Sequence, residues 1–251
     1  MVNKHTVIVT GGTMGIGAAI SRAFYERGAH VLIASRHDNG FAESLGERAR
    51  FQQADVKEQS HHQTLAQTAL DWTGRLDVYV NCAGYSEWRP IGKVDEDFWN
   101  DMIDTNLKGT FWGCKAAAEQ MKSGGCIVNV SSLAGKRGSA NNSVYCASKF
   151  GVNGLTQALA KELGPKGIRV NAVCPVYVST DGLHKALVDE ESPSQGEDIA
   201  CFLNDFADEN SALCRIPSAE EVAQLCVFLA SAEASAITGQ CVNVDCGVLP
   251  Q

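Results

Sequence analysis

A chain of 251 residues accommodates one large α/β domain or two small ones and can bury a substantial core. A net charge of −8 argues against non-specific nucleic-acid binding, and no apolar run approaches the length of a membrane span. Met1–Val2–Asn3–Lys4–His5 runs straight into an apolar strand with no signal-peptide pattern, so a cytoplasmic protein is expected.

Thr6–Val7–Ile8–Val9 is a β-branched run that ends in Thr10–Gly11–Gly12–Thr13–Met14–Gly15–Ile16–Gly17, and a helical pattern with Ile20 and Phe24 follows, stopped by Gly28. Strand, glycine turn and helix in that order make a phosphate cradle. Glycines let the backbone approach a pyrophosphate, and the helix start supplies N–H donors and a positive dipole. The spacing is G-x-x-x-G-x-G rather than G-x-G-x-x-G. His30–Ala34 reads as the second strand and ends at Ser35–Arg36, where an acid would bind a ribose 2′-hydroxyl. A hydroxyl followed by a guanidinium suits a 2′-phosphate, which favours NADP(H) over NAD(H), although Asp38 is close enough to offset Arg36.

Phe51–Ala54 is a weak third strand ending at Asp55–Val56, and a helix follows over 58–73. Leu76–Val80 is a strand that ends in Asn81–Cys82–Ala83–Gly84. One long helix is expected from Glu96 to Met121, carrying Asn106. After a turn at Gly124–Gly125, Cys126–Val130 forms a strand ending in Ser131–Ser132, and a helix spans 143–164. Ile168–Cys174 is the next strand, stopped by Pro175. Ser218 caps a helix to Ala230 with Glu221 at capping-box spacing, and Gln240–Val244 is the last strand. Strand and helix alternate without linker or repeat. That order predicts an α/β fold of one domain over 1–251, a Rossmann-type doubly wound sheet of about seven parallel strands with helices on both faces. Ligands of such sheets bind at the carboxyl ends of the strands, where Gly11, Ser35, Asp55, Asn81, Ser132 and Pro175 all fall.

Tyr145 and Lys149 stand four residues apart in the helix 143–164 and therefore share a face. An ammonium beside a phenol favours the phenolate and is expected to lower the Tyr145 pKa, which suits general acid/base work. Ten cysteines are scattered, without a C-x-x-C pair, and most lie in apolar segments, so they read as core filler in a reducing compartment. His61–His62 lacks a partner at ligand spacing, so no metal is expected.

These motifs in this order resemble the short-chain dehydrogenase/reductase superfamily in its single-domain form, and the likeness covers nearly the whole chain. The resemblance implies that Tyr145 is the acid/base, that Ser132, 13 residues before it, holds the substrate oxygen, and that Lys149 lowers the tyrosine pKa and binds the nicotinamide ribose. Ser131 points to the other side by strand alternation. Asn106 would hold a water in a proton relay. Gly11, Thr13, Met14, Gly15, Ile16 and Gly17 would form the pyrophosphate turn. Ser35 and Arg36 would meet the adenosine ribose, and Asp55 and Val56 the adenine. Asn81, Ala83 and Gly84 would line the cleft, while Pro175, Val178 and Thr180 would flank the nicotinamide. For Asn81 and Asn106, bracing of sheet and helix is the alternative. Many NADP-users of this pattern carry a basic residue where Met14 stands. Val176 replaces a usual glycine after Pro175, Cys82 a common Asn, and Cys246 a glycine near Asp245.

The implied reaction is hydride transfer between a ketone or aldehyde and an alcohol. The segment 181–214, in the substrate-lid position of the family, holds nine acids against Lys185 alone and so carries the whole net charge. It reads either as a solvated, mobile loop with charges outward or as a screen against anionic substrates. The screen points to a small neutral or cationic substrate, such as a polyol or sugar-like compound, and a partial likeness to hexitol-6-phosphate dehydrogenases around Gly135–Lys136 and from Asn142–Ser143 through Gln157 agrees. Arg89, Lys136, Arg137 and Arg215 are the cations that could oppose it. The alternative is a 3-oxoacyl thioester reductase. A non-catalytic nicotinamide sensor would usually lack the tyrosine or lysine, and a sugar-nucleotide epimerase usually has a longer chain. Small residues around the helix 143–164 permit close packing, and the family implies a homotetramer or homodimer.

Overall fold

The computed structural model describes residues 4–122 and 124–250. Seven strands form one parallel sheet: β1 (Thr6–Thr10), β2 (His30–Ser35), β3 (Ala49–Gln53), β4 (Val78–Asn81), β5 (Cys126–Val130), β6 (Arg169–Pro175) and β7 (Cys241–Val244). Their spatial order is β3-β2-β1-β4-β5-β6-β7, so the connection reverses between β1 and β4 and opens a crevice at the carboxyl ends of those two strands.

Alternation along each strand builds two cores. Val7, Val9, Val31, Ile33, Val78, Val80 and Val128 face one side. There they meet Ile20 and Phe24 of α1 (Gly15–Glu26) and Val222, Cys226 and Leu229 of α9 (Ala219–Ala230). Ile8, Leu32, Tyr79, Ile127 and Val170 face the other. They pack on Leu65 of α3 (Gln59–Thr73), Cys114 of α5 (Gly109–Gln120) and Leu163 of α6 (Ser143–Leu163). Both faces are apolar because helices cover both. The capping box at Ser218 and Glu221 forms as expected.

The structure departs from expectation in four places. β3 starts two residues earlier and ends one residue earlier than expected; as an edge strand it is half-exposed and its pattern is weak. The long helix is broken into α4 (Glu96–Ile103), one wider π-turn over Asp104–Lys108, and α5, with the Gly109 N–H reaching back to the Asp104 carbonyl. A short helix, α2 (Phe41–Leu45), follows β2. The acidic segment is not a loop, for it folds into α7 (Asp181–Leu187) and α8 (Ile199–Asn210).

Cys246 has φ 53°, in the left-handed region that disfavours a side chain. Its carbonyl accepts from Leu213 N (3.1 Å) and Ser211 Oγ (2.9 Å), which hold the turn in place. Cys246→Gly is therefore expected to stabilise the fold by about 1 kcal/mol, read as a raised denaturant midpoint at unchanged slope. A lowered midpoint would mean that packing of the thiol outweighs backbone strain.

Candidate active site

β5 ends at Val130, and the next two residues diverge by alternation. Ser131 Oγ donates to the Lys149 carbonyl (3.3 Å) and is buried, whereas Ser132 faces the rim. The Ser132 hydroxyl accepts from Ala134 N (3.1 Å) and lies near enough to the Tyr145 phenol to favour its phenolate. On α6, the Lys149 ammonium sits 5.7 Å from the Tyr145 ring centroid and donates to the Val130 carbonyl (3.0 Å). Ser132, Tyr145 and Lys149 thus converge at the carboxyl end of β5.

Electrostatics at this cluster differ from the expected picture. Burial pushes the Tyr145 phenol up to about 12, and the nearby Ser132 hydroxyl only partly opposes it. Burial likewise pulls the Lys149 ammonium down to about 8. Lys149 does not lower the tyrosine pKa here because its ammonium is directed at the strand carbonyl and the low dielectric works against both charges.

Asn106 lies wholly buried in the π-turn. Its side chain accepts from Tyr85 N (3.0 Å) and donates to the Tyr85 carbonyl (2.9 Å), as a neighbouring strand would. Its own carbonyl takes the Thr110 hydroxyl (2.8 Å). The clamp presses Gly84 toward the lysine: a Cβ at Gly84 would stand 2.8 Å from Asn106 Oδ1 and 3.5 Å from Lys149 Nζ. A π-turn commonly marks a functional site, and here it turns Asn106 inward.

The glycine turn fits a pyrophosphate. A Cβ on Gly17 would lie 2.1 Å from the Gly11 carbonyl oxygen, and one on Gly11 2.8 Å from Ala83 Cα, so only glycine permits this closeness. No side chain caps the start of α1 at Met14, and its first turn holds no acid, so its N–H groups are open to an anion. Thr13 is buried with its carbonyl accepting from Asn39 Nδ2 (3.0 Å), Met14 is exposed, Gly15 lies against Thr180, and Ile16 is half-buried. Ser35 Oγ donates to the His37 carbonyl (2.6 Å); Arg36 is exposed and forms no ion pair among the described residues. Asp55 accepts from Lys57 N (3.0 Å), and the Val56 carbonyl meets buried His62 Nε2 (2.9 Å). Ala83 and Gly84 border the crevice. Pro175 closes β6, and Thr180 caps α7 through Leu183 N (3.2 Å).

Two expected cleft residues turn away. The Asn81 side chain is buried against α5 and donates to Asn129 Oδ1 (2.9 Å), because strand alternation aims it at the helix layer. It braces the sheet, and only its backbone meets the rim. Val178 packs its side chain into the core beside α1 and α9. Thr10, not singled out from sequence, accepts from both Cys82 N (3.1 Å) and Ala83 N (3.3 Å) and so fixes the end of β4.

The lid has an acidic outside and an apolar underside. Eight of its nine acids are exposed and the ninth, Glu191, is half-buried and pairs with Lys93. Trp88, Leu187 and Leu203 are buried beneath it, and Tyr177 packs edge-on to Phe202 and Phe206 at 5.9 and 4.8 Å between centroids. Trp88 and Tyr177 were missed because nothing in their local pattern marks them. Of the opposing cations, Arg89 pairs with Glu87 (2.7 Å), Arg215 with Glu221 (2.7 Å), and Lys136 Nζ donates to the Cys241 carbonyl (2.6 Å). Arg137 is exposed.

Comparison with known proteins agrees with this geometry. A family model described as Enoyl-(Acyl carrier protein) reductase matches residues 11–249. A 3-oxoacyl-[acyl-carrier-protein] reductase of Chlamydia muridarum is 35% identical over 99% of this chain and 98% of its own. Among solved structures, a glucose/ribitol-type short-chain dehydrogenase/reductase of Brucella melitensis superposes with TM-score 0.90 at 30% identity, covering 99% of this chain and 98% of its own. The aldohexose dehydrogenase of Thermoplasma acidophilum superposes with TM-score 0.88 at 32% identity, covering 100% and 98%.

Proposed function

The chain belongs to the short-chain dehydrogenase/reductase family and is an oxidoreductase acting on CH–OH groups, and from that premise we propose a carbonyl–alcohol interconversion in which Tyr145 handles the proton. The observation that carries this reading is the convergence of Ser132, the Tyr145 phenol and the buried Lys149 ammonium at the carboxyl end of β5, with the ammonium 5.7 Å from the Tyr145 ring centroid. Nicotinamide, when bound, supplies or accepts the hydride. Ser132 holds the substrate oxygen in line with the phenol. Tyr145 gives that oxygen its proton in reduction and takes it back in oxidation. Lys149, held on the Val130 carbonyl beside the phenol, binds the ribose hydroxyls and so places the nicotinamide against Tyr145. Asn106 fixes Gly84 and Tyr85 beside Lys149, and any relay through it would use its carbonyl. The whole chain acts as one domain under the lid 181–214.

A phenol held at about 12 carries its proton at neutral pH, while a lysine at about 8 is mostly charged, so the site is set to donate. Carbonyl reduction is therefore expected to stay level below about pH 7 and to fall as pH rises through about 8, where Lys149 loses its charge. Alcohol oxidation, which needs the phenol deprotonated, is expected to climb toward about pH 12, where the phenol itself titrates. A reductive rate that rises through about pH 8 would contradict the assignment.

NADP(H) is the favoured coenzyme, with NAD(H) second. Its support is an exposed Arg36 guanidinium at the end of β2 with no acid there to bind a ribose. Arg36→Ala is expected to raise KM for NADPH about tenfold or more and to leave KM for NADH unchanged. An equal effect on both coenzymes would remove Arg36 from recognition.

The substrate is a small, neutral carbonyl or alcohol. The outward acids of the lid repel anions, three of the four opposing cations are already engaged, and two structural neighbours are named for sugars. Polyols and sugar-like compounds are accordingly the first class to assay. Reduction of a 3-oxoacyl thioester is the second reading, favoured by the Chlamydia relative. A panel of carbonyls and alcohols with both coenzymes, followed by nicotinamide absorbance, separates the two and also excludes a sensor or epimerase, which would show no net coenzyme consumption. The enzyme works in the cytoplasm as a homotetramer or homodimer. Exposed Trp99, Phe111 and Phe150 on α4, α5 and α6 support such packing, and light scattering tests it.

A further inference from the structure

The adjacent His61 and His62 lie at the start of α3, and both reach back to the turn Asp55–Val56 that follows β3. His61 Nδ1 accepts from the Asp55 N–H (3.0 Å). His62 Nε2 meets the Val56 carbonyl (2.9 Å), which can only accept, so that nitrogen carries the proton. The other ring nitrogen, Nδ1, then accepts from the Tyr79 hydroxyl (2.8 Å). Burial holds His62 below the ordinary histidine range, in agreement with a neutral ring that donates once and accepts once. Tyr79 is wholly buried in β4 among apolar side chains, and His62 is 1% exposed. Two apolar rings would fill that space with no polar group to satisfy; instead a complete chain of bonds runs through it and ends on one carbonyl. From the far side Gly109 closes on the same residue, for a Cβ there would stand 3.0 Å from the Val56 carbonyl oxygen. The peptides before and after the Asp55–Val56 bond are therefore fixed. The Val56 N–H between them meets no acceptor among the described residues.

We propose that His62, held in place by Tyr79, is a positioning residue for the coenzyme: with His61 it fixes the turn so that the Val56 N–H faces the adenine ring. This rests on the coenzyme reading above, with Asp55 and Val56 at the adenine. The edge of an adenine ring carries nitrogens that accept hydrogen bonds, so a backbone N–H held in one direction suits it. A turn free to rotate must be ordered when the ligand binds, and a turn already held avoids that cost. Burial strengthens the hold, because a fully satisfied chain of bonds in a low dielectric specifies one arrangement. The clamp acts at the adenine half, which NADP(H) and NAD(H) share. It therefore raises affinity for both and leaves the choice between them to Arg36. Ser132 and Tyr145 stand on other segments, at the end of β5 and on α6, so the chemical step should not depend on it.

The test measures binding of NADPH, NADH and ADP-ribose by calorimetry, beside kcat and thermal melts, for wild-type enzyme, His62→Phe, Tyr79→Phe and the two combined. ADP-ribose carries the adenine half and no nicotinamide. His62→Phe is expected to weaken all three ligands by about tenfold, the worth of one net hydrogen bond. Its kcat at saturating coenzyme should stay within about twofold of wild type. It should also melt earlier, since the Tyr79 hydroxyl is left buried without a partner. The combined variant removes that hydroxyl, so its Tm should recover relative to His62→Phe while the loss of affinity remains. A role in stability alone predicts the opposite, with affinity returning as the melting temperature does. Tyr79→Phe keeps the histidine but frees its ring, and should weaken all three ligands by about threefold. Native affinity in the combined variant, a loss confined to one coenzyme, a loss absent for ADP-ribose, or a fall in kcat as large as the loss of affinity overturns the proposal. If neither His62 variant folds, Tyr79→Phe decides, and native affinity there overturns it. Wild-type enzyme that binds none of the three ligands would instead overturn the underlying coenzyme reading.

Discussion

Tyr145→Phe is expected to lower kcat/KM by about 10²–10⁴-fold or more, equivalent to about 2.7–5.5 kcal/mol of transition-state stabilisation. The substitution removes one oxygen from a half-buried ring on α6 and leaves the ring in contact with its neighbours, Val144 and Met102 among them. Ser132 then keeps its bond to Ala134 N but has no phenol to align. The glycine turn and the start of α1 are built from other segments, so coenzyme affinity should be unchanged. A coenzyme fluorescence titration beside the kinetics checks both halves of the expectation. Turnover near the wild-type rate would remove Tyr145 from the chemistry.

The second large effect is expected at Gly17. A methyl group there would stand 2.1 Å from the Gly11 carbonyl oxygen and 2.8 Å from its carbon, with another backbone atom, Gly12 Cα, at 3.0 Å. These are backbone atoms and cannot rotate aside as a side chain would. The alternative is to lift α1 off the sheet, but α1 is held by buried Ile20 and Phe24. Overpacking of a core costs about 1–3 kcal/mol, and a clash with fixed backbone belongs at the top of that range. Gly17→Ala should therefore lose about 3 kcal/mol, a fall in Tm of about 6–12 °C for a chain of this size. Coenzyme affinity should drop at least about tenfold, because the turn that approaches the pyrophosphate is pushed open. Gly92→Ala, where an added Cβ meets nothing within 4 Å, is the control and should change neither quantity. A thermal melt and a coenzyme titration of both variants decide it. A fully stable Gly17→Ala with native affinity would show that the approach is looser than it looks.

Most of the architecture was legible because parallel strands buried on both faces read as unbroken β-branched runs. Thr6–Val9 is such a run, Cys126–Val130 is close to one with Ile127, Val128 and Val130, and both are strands here. The chemistry was legible for a related reason: a strand end, a glycine turn and a helical i, i+4 pair are local patterns. What failed was non-local. Nothing in Asp104–Lys108 announces the π-turn, which is set by the clamp that Asn106 makes on Tyr85 across the crevice. The side-chain direction of Asn81 depends on which face of β4 meets α5. The lid helix α8 is different, since its signal was present and went unread. Ile199, Phe202, Leu203, Phe206 and Ala207 recur at helical spacing, and the surrounding acids drew attention away from them. The Tyr145 pKa also turned on packing, because burial rather than the nearby ammonium sets its direction.

Whether Ser132 and Tyr145 act on one oxygen as a single unit is tested most directly by a double-mutant cycle in kcat/KM, using Ser132→Ala, Tyr145→Phe and the two combined. Groups that work as a unit are far from additive. The combined variant is therefore expected to be about as impaired as Tyr145→Phe alone, within a factor of a few. A combined loss equal to the product of the two separate losses would mean that the hydroxyl and the phenol serve independent purposes, and the proton-transfer site described above would not exist as a site.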